Sequence, residues 1–165
     1  MPTKYSFIPV LCIFVLAAAA CGPKIPREVT GKVTWEGDFK EIQADPEKYE
    51  GEFVILGGKI ISTDNFKDGS EITVLHYPTD QAKRPRQEKE SGGRFLVRSD
   101  SFIDPEIYSP GKLVSVAGTI TGSKSRTIGD FPYEHPVIDG DLWVWDPRQK
   151  SSPRFHFGLG IGKTF

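Results

Sequence analysis

Cys21 is the residue whose type and position suggest a defined chemistry. It follows Ala17–Ala20 at the end of an apolar run that begins near Tyr5, and Lys4 places a positive charge ahead of that run. A charged start, an apolar stretch and small residues before a cleavage point are typical of an export signal. The cysteine thiol is the nucleophile suited to carry a thioether-linked diacylglycerol. The pattern predicts a lipoprotein signal peptide over residues 1–20 and lipidation of Cys21.

A soluble product is the alternative, because Ala18, Ala19 and Ala20 also form an A-x-A site for ordinary signal peptidase. That cleavage would leave a free thiol at the new N-terminus. Lipidation is the favoured interpretation, since it explains why a cysteine stands at that one position. Gly22 in place of Asp gives no signal for retention in an inner membrane, so we expect the outer membrane. Two or more buried acyl chains give stable anchoring.

Composition limits the fold and the function of the exported domain. Cys12 is the only other cysteine and is lost with the signal, so the mature chain cannot form an internal disulfide. The whole chain has a net charge of −1, and the loss of Lys4 makes the mature chain more negative by a single charge. Dedicated nucleic-acid binders carry a basic excess, so no nucleic-acid partner is expected.

The pattern of apolar residues predicts an all-β fold. Pro46 after Asp45 and the spacing of Phe39, Ile42 and Tyr49 predict a short helix. The paired Gly57 and Gly58 predict a bulge or sharp bend in the first strand. About five strands at this spacing favour a small OB-like β-barrel with short helical turns, whereas a sandwich would need more strands. The expected strands are 53–61, 71–77, 94–98, 112–121 and 137–145.

The predicted organisation has four segments. The signal peptide over 1–20 is followed by a spacer at 21–38, the barrel domain at 39–148 and a Gly/Phe-rich tail at 149–165. The end of the tail, 155–165, alternates like a strand of an outer-membrane barrel. A single strand of this kind cannot close a barrel, so a disordered or edge-pairing tail is expected.

Several segments resemble the Slp family of outer-membrane lipoproteins, in order along the chain from Cys21 to about Arg148. The resemblance implies a lipoprotein of the Gram-negative outer membrane with its domain in the periplasm, and it brings no catalytic residues. The segments that carry it, besides the lipobox, are Asp45-Pro-Glu-Lys-Tyr-Glu-Gly51, Val54-Ile-Leu-Gly-Gly58, Gly93-Arg-Phe-Leu-Val97, Phe102-Ile-Asp-Pro-Glu-Ile-Tyr108, Leu113-Val-Ser-Val-Ala-Gly-Thr-Ile120 and Asp141-Leu-Trp-Val-Trp145.

Groups for catalysis or metal binding are not arranged in any strong motif. His135 lies near Glu134, Asp139 and Asp141, but metal sites usually show tighter ligand spacing. His76 falls on an alternating strand and is expected to be at the surface or half-buried. Neither a nucleophile elbow nor a Ser-x-x-Lys arrangement occurs in the sequence. The prediction is therefore a protein that is not an enzyme and needs no cofactor or metal.

Trp143 and Trp145 share one face of the last strand and are the candidate partner surface. Core packing or capping of the barrel is the competing interpretation of the pair. A loop with five basic residues is a further candidate, for anionic lipid contact, although Glu88 and Glu90 dilute its charge. These basic residues are Lys83, Arg84, Arg86, Lys89 and Arg94.

The sequence thus predicts a lipid-anchored outer-membrane lipoprotein with a non-enzymatic periplasmic domain. Its expected role is structural or binding, with envelope proteins or glycans as possible partners and outer-membrane lipid engaged through acylated Cys21. The alternative is a small-ligand or glycan-binding module that uses the aromatic barrel face around Trp143 and Trp145. A hydrolase would instead require clustered ionisable side chains in a pocket.

Overall fold

The structure, a computed structural model, describes residues 25–145. Cys21, the signal peptide and the tail at 149–165 lie outside the described residues. Within residues 25–145, no helix has the length and apolar character needed to cross a membrane.

Five strands close into a barrel. Its neighbours run β1-β2-β3-β5-β4, and every neighbouring pair is antiparallel except the parallel pair β3–β5. This order confirms the predicted all-β, OB-like barrel of five strands. The strands are β1 (Phe53–Phe66), β2 (Gly69–His76), β3 (Arg94–Ser99), β4 (Leu113–Ile128) and β5 (Phe131–Trp145).

Strand alternation supplies the core. On β2, Ile72 and Val74 are fully buried in the barrel interior. Glu71 and Thr73 alternate with them along the strand and therefore point outward. The other strands contribute aliphatic side chains in the same alternating way. Core residues of the barrel wall include Val54, Leu56, Ile60, Phe95, Val97, Val114, Val116, Ile120 and Ile138.

A short helix closes one end of the barrel. α1 (Arg27–Thr30) comes first in the chain, and α2 (Phe39–Ala44) follows it and leads into a 3₁₀ turn (Pro46–Tyr49). The Asp38 carboxylate caps α2 by accepting a hydrogen bond from the backbone N of Lys40 at 3.0 Å. Phe39 and Ile42 then enter the core. We call this the plugged end.

The prediction of a bulge or sharp bend at Gly57 and Gly58 was wrong, because both glycines pair in regular register with β4. The irregularity of β1 lies between Ile60 and Ser62, not at the glycines. A Cβ on Gly57 would collide with the side chain of Thr79, and a Cβ on Gly58 would collide with β2. The glycines are needed for close approach of a covering loop and of the neighbouring strand.

β4 and β5 extend well beyond their predicted bounds. They pair continuously up to Ile128 and Phe131 and form a long hairpin, with a bulge between Ile120 and Gly122. β1 pairs with β4 only as far as Thr119, so the residues of β4 after Thr119 pair with β5 but not with β1.

Residues 25–38 of the predicted spacer, which runs from 21 to 38, pack against the folded domain. Ile25 is buried, and the backbone N of Thr34 donates to the carbonyl of Phe53 at 3.0 Å. The ring of Trp35 meets the ring of Tyr49 edge-on, with 5.1 Å between their centres. Residues 25–38 therefore pack against the start of β1.

Candidate binding surface

Three large apolar side chains are exposed at the end of the barrel opposite α2. Phe66 is the last residue of β1, and Phe102 and Ile107 lie in the loop after β3. The exposed fractions of these three residues are 60%, 73% and 55%. Monomeric proteins expose single apolar residues routinely, whereas grouped ones mark interaction surfaces. We call this group the apolar rim.

Side chain–backbone hydrogen bonds fix the backbone beside Phe102 to the end of β1 and the start of β2. Asn65 Nδ2 donates to the carbonyl of Ile103 at 3.0 Å, and the backbone N of Ile103 donates to Ser70 Oγ at 2.9 Å. Ile103 itself is buried in the core. The residues flanking Phe102 are thus fixed to β1 and β2, while its ring remains outside.

The far end of the same loop is fixed in a similar way. Thr63 Oγ1 donates to the carbonyl of Tyr108 at 2.7 Å, and Lys112 Nζ donates to the carbonyl of Ile107 at 2.7 Å. Tyr108 packs against the core. These bonds hold the backbone beside Phe102 and beside Ile107, so the apolar rim is preorganised. Preorganisation of a surface lowers the ordering cost of binding to it.

A cavity of about 310 Å³ adjoins Phe66. Its volume is at the lower end of the range usual for small-molecule sites. The walls combine an aromatic ring with both positive and negative side chains on β2, β3 and β4. The lining includes Phe66, Asp68, Glu71, Arg98, Ser99 and Lys124.

Glu71 anchors the β4–β5 hairpin at this cavity. Its side chain is 5% exposed, lies 3.1 Å from Lys124 Nζ and also forms an ion pair with Arg126. Glu71 points outward from β2, and β2 is not a neighbour of β4 in the barrel wall. The end of the hairpin must therefore lie across the outer face of the barrel, where it covers strands β2 and β3.

The tryptophan pair has one buried and one half-buried member. Trp145 is 7% exposed, and its Nε1 donates to Ser115 Oγ at 2.7 Å. The hydroxyl of Ser115 donates to the carbonyl of Lys83, and the Arg84 guanidinium lies 5.8 Å from the centre of the Trp145 ring. The loop between β2 and β3 thus covers Trp145. As a partner surface the pair stays a prediction, and only Trp143 is accessible without movement of this loop.

Three of the five loop cations have side-chain partners close to them. Lys83 Nζ lies 2.9 Å from Glu36, Arg86 Nε lies 2.7 Å from Glu88, and Arg84 lies over the Trp145 ring. Lys89 and Arg94 form no ion pair with another described residue, so lipid contact through this loop stays a prediction. Between this loop and residues 33–37 lies a second, shallow cleft of about 470 Å³, which Trp35 helps to line.

The histidines are more deeply buried than the sequence suggested. His76, expected at the surface or half-buried, is 6% exposed and stacks on Phe39 with ring centres 4.3 Å apart. The expectation was wrong because strand alternation alone does not reveal the helix packed across the end of β2. Burial lowers the pKa of His76 to about 4, opposed by the charge of Asp38. Its Nδ1 is buried without a hydrogen-bond partner among the described residues.

His135 does not gather a metal site around it. Within the described residues, no group of three or more His, Cys, Asp or Glu side chains could hold a metal ion. His135 is buried with its Nδ1 3.1 Å from the carbonyl oxygen of Tyr133. Burial lowers the pKa of His135, and the charges of Arg126 and Arg94 lower it further against this hydrogen bond.

Sequence reasoning missed the apolar rim. Its one available signal was a large apolar residue inside a segment of turn-forming residues, as for Phe66 between Asn65 and Lys67-Asp68-Gly69. Such a residue has no core-facing neighbours at strand spacing. The exposure of Phe102 depends on which of two adjacent residues, Phe102 or Ile103, enters the core, and the sequence does not decide that.

The fold is a small five-stranded barrel with an exposed apolar rim, and its similarity to known proteins identifies its family. The chain belongs to the outer membrane lipoprotein Slp family, whose family model matches residues 18–159. This confirms the resemblance and identifies the chain as an outer-membrane lipoprotein. No solved structure matches the chain.

Three curated relatives show the same relationship. The uncharacterized lipoprotein YeaY of Escherichia coli is 29% identical over 89% of this chain and 80% of its own length. The outer membrane protein Slp of the same organism is 29% identical over 82% of this chain and 72% of its own length. An uncharacterized protein of Haemophilus influenzae is 29% identical over 65% of this chain and 59% of its own length.

Proposed function

We propose that this lipoprotein is anchored by acylated Cys21 and holds a non-enzymatic barrel in the periplasm that binds an envelope protein through the apolar rim. The observation that carries the proposal is the exposure of Phe66, Phe102 and Ile107 on a backbone held by specific hydrogen bonds. The anchor confines the domain to the membrane surface, which raises its effective concentration toward partners there.

The rim has the physical features of a protein-binding surface. Aromatic rings are enriched at interfaces because they bury a large area with few rotatable bonds. The adjoining cavity carries Arg98 and Lys124 beside Asp68 and Glu71. An apolar contact with charged groups of both signs at its edge fits a partner protein better than a single small apolar ligand.

Acylation is tested by the intact mass of the protein purified from membranes. We expect a mature N-terminus at Cys21 with added diacylglycerol and acyl mass, and loss of both mass and membrane association for Cys21→Ser. A mature chain that begins at Cys21 without added mass would support the soluble alternative.

Partner binding is tested by capture from cross-linked envelopes. In the triple variant Phe66→Ser, Phe102→Ser and Ile107→Ser we expect recovery of a specifically cross-linked protein to fall at least tenfold, because the loss of about 1.4 kcal/mol of binding free energy in total already lowers affinity tenfold. The control is Phe131→Ser, because Phe131 is 78% exposed but belongs to the β4–β5 hairpin. Equal recovery from the triple variant and the native protein would refute the assignment.

The second candidate is binding of a small ligand or glycan at the face of Trp143 and Trp145. A stacking platform needs an accessible ring face, and the loop between β2 and β3 buries Trp145. The structure therefore favours the apolar rim. Saturable binding of a glycan that is lost in Trp143→Ala and retained in the rim triple variant would reverse this preference.

A further inference from the structure

We infer that the surface around α1 rests against the phospholipid headgroups of the membrane that holds the lipid anchor. This inference rests on the proposed acylation of Cys21, and it concerns the orientation of the folded domain. The chain between that cysteine and Ile25, the first residue that the structure describes, is short.

Ile25 already belongs to the folded domain, with 8% of its surface accessible. Four peptide units separate it from Cys21. Even a fully extended backbone spans at most 3.8 Å for each unit, or about 15 Å in total. A cysteine whose acyl chains are in the bilayer therefore holds Ile25 within about 15 Å of the headgroups.

Residues 25–38 are not a free stalk that would allow the barrel to move away. Thr34 exchanges hydrogen bonds with Phe53, because its backbone N donates to the Phe53 carbonyl at 3.0 Å and its Oγ1 accepts from the Phe53 backbone N at 2.8 Å. Trp35 packs on Tyr49. The first described residues and the start of β1 thus move as one unit.

The exposed side chains of this surface suit phospholipid. Arg27 and Lys32 are exposed, and neither forms an ion pair with another described residue. Their charges are free to meet lipid phosphates, and Glu28 is the one acidic residue between them. Basic residues close to an anionic membrane surface are attracted to it.

The orientation has a consequence for the apolar rim. The segment tied to the anchor packs at Phe53, the first residue of β1, and Phe66 is the last residue of that strand. At about 3.3 Å per residue, the path along the curved strand is roughly 40 Å. The membrane holds one end of β1, and the rim at the other end is directed toward the periplasm.

The test measures how close two surface positions lie to the lipid. Acylated full-length protein is reconstituted into vesicles of phosphatidylethanolamine and phosphatidylglycerol that carry a headgroup-linked quencher. A fluorophore is attached at Glu28→Cys on α1 or, as the control, at Lys67→Cys in the turn after β1. The introduced cysteine is the single free thiol of the acylated mature chain, since Cys12 is removed with the signal.

We expect stronger quenching at position 28 than at position 67. A flexible insertion of about 20 Gly and Ser residues after Gly22 adds roughly 25 Å of mean reach, so it should reduce the quenching at position 28 toward that of the control. Equal quenching at both positions, or stronger quenching at position 67, would overturn the orientation. Quenching at position 28 that persists after the insertion would support it, since the surface would then stay on the lipid without a short tether. Failure of the proposed anchor would differ, because no variant would then float with the vesicles.

Discussion

The two ends of the barrel treat their large apolar side chains in opposite ways. At the plugged end, Phe39 enters the core from α2 and packs against Phe95 at 5.6 Å between ring centres. At the rim end, Ile103 enters the core but the adjacent Phe102 remains exposed. The barrel is therefore closed at both ends, and the exposed rim is not needed to complete the core. The contrast separates side chains that hold the fold from side chains that are free to bind.

The largest expected effect is at the plugged end. Phe39→Ala removes a ring that is 2% exposed, and large-to-small changes of this kind cost about 3–5 kcal/mol. Phe66→Ala is the matched control at the rim, with an expected cost within about 0.5 kcal/mol because its ring is mostly solvated. Urea unfolding of the two variants and the native protein measures the difference. Similar losses for both would show that the rim supports the fold.

The next effect is a loss of stability at acidic pH. The pKa of His76 is about 4 in the folded protein, below its ordinary value of 6.5. Between these two pH values His76 is protonated in the unfolded chain but neutral in the folded protein. Stability should be full above about pH 6.5, fall by at most about 3 kcal/mol as pH drops to 4, and change no further from this group below that. His135, whose pKa is also lowered by burial, acts in the same direction.

The variant His76→Leu separates this contribution from general acid sensitivity. It cannot titrate, and it removes a ring nitrogen that has no hydrogen-bond partner among the described residues. We expect a flatter stability profile between pH 6.5 and 4 than in the native protein. An unchanged slope would mean that His76 does not control the acid response of the plugged end.

A smaller effect is expected at the ion pairs beside the rim. Glu71→Gln leaves Lys124 and Arg126 without their carboxylate, and we expect a loss of about 1–3 kcal/mol because the two cations are partly exposed. Lys124→Met should lose less than about 1 kcal/mol, since the lysine is half-exposed. Hydrogen exchange should rise selectively in residues 122–136 of the Glu71→Gln variant. Hydrogen-exchange protection equal to that of the native protein would contradict the role of Glu71 in anchoring the β4–β5 hairpin.

How far the sequence predicted the molecule depended on where a residue's partners lie along the chain. Alternating apolar residues located all five strands, because each has to fill the barrel interior. The distal half of the β4–β5 hairpin has no such pattern and carries Pro132 and Pro136. It is held by backbone pairing and by distant Glu71, and neither interaction leaves a periodic signal.

The candidate surface was less predictable for the same reason. Trp143 and Trp145 were the obvious aromatic pair, but the loop that covers Trp145 comes from about sixty residues earlier in the chain. Residues 25–38 lack periodicity and therefore resemble a spacer in the sequence, although contacts through Ile25 and Trp35 hold them to the domain. When a distant segment buries a single residue, the local sequence pattern around that residue gives no sign of the contact.

Site-specific photo-cross-linking in living cells tests whether the apolar rim binds a partner protein, because it compares the two ends of the barrel in one experiment. A photoreactive amino acid at position 102 places the probe in the rim, and one at position 40 places it on the exposed face of α2. We expect a discrete cross-linked protein from position 102 and none from position 40. The same adducts from both positions, or no adduct from position 102, would contradict it.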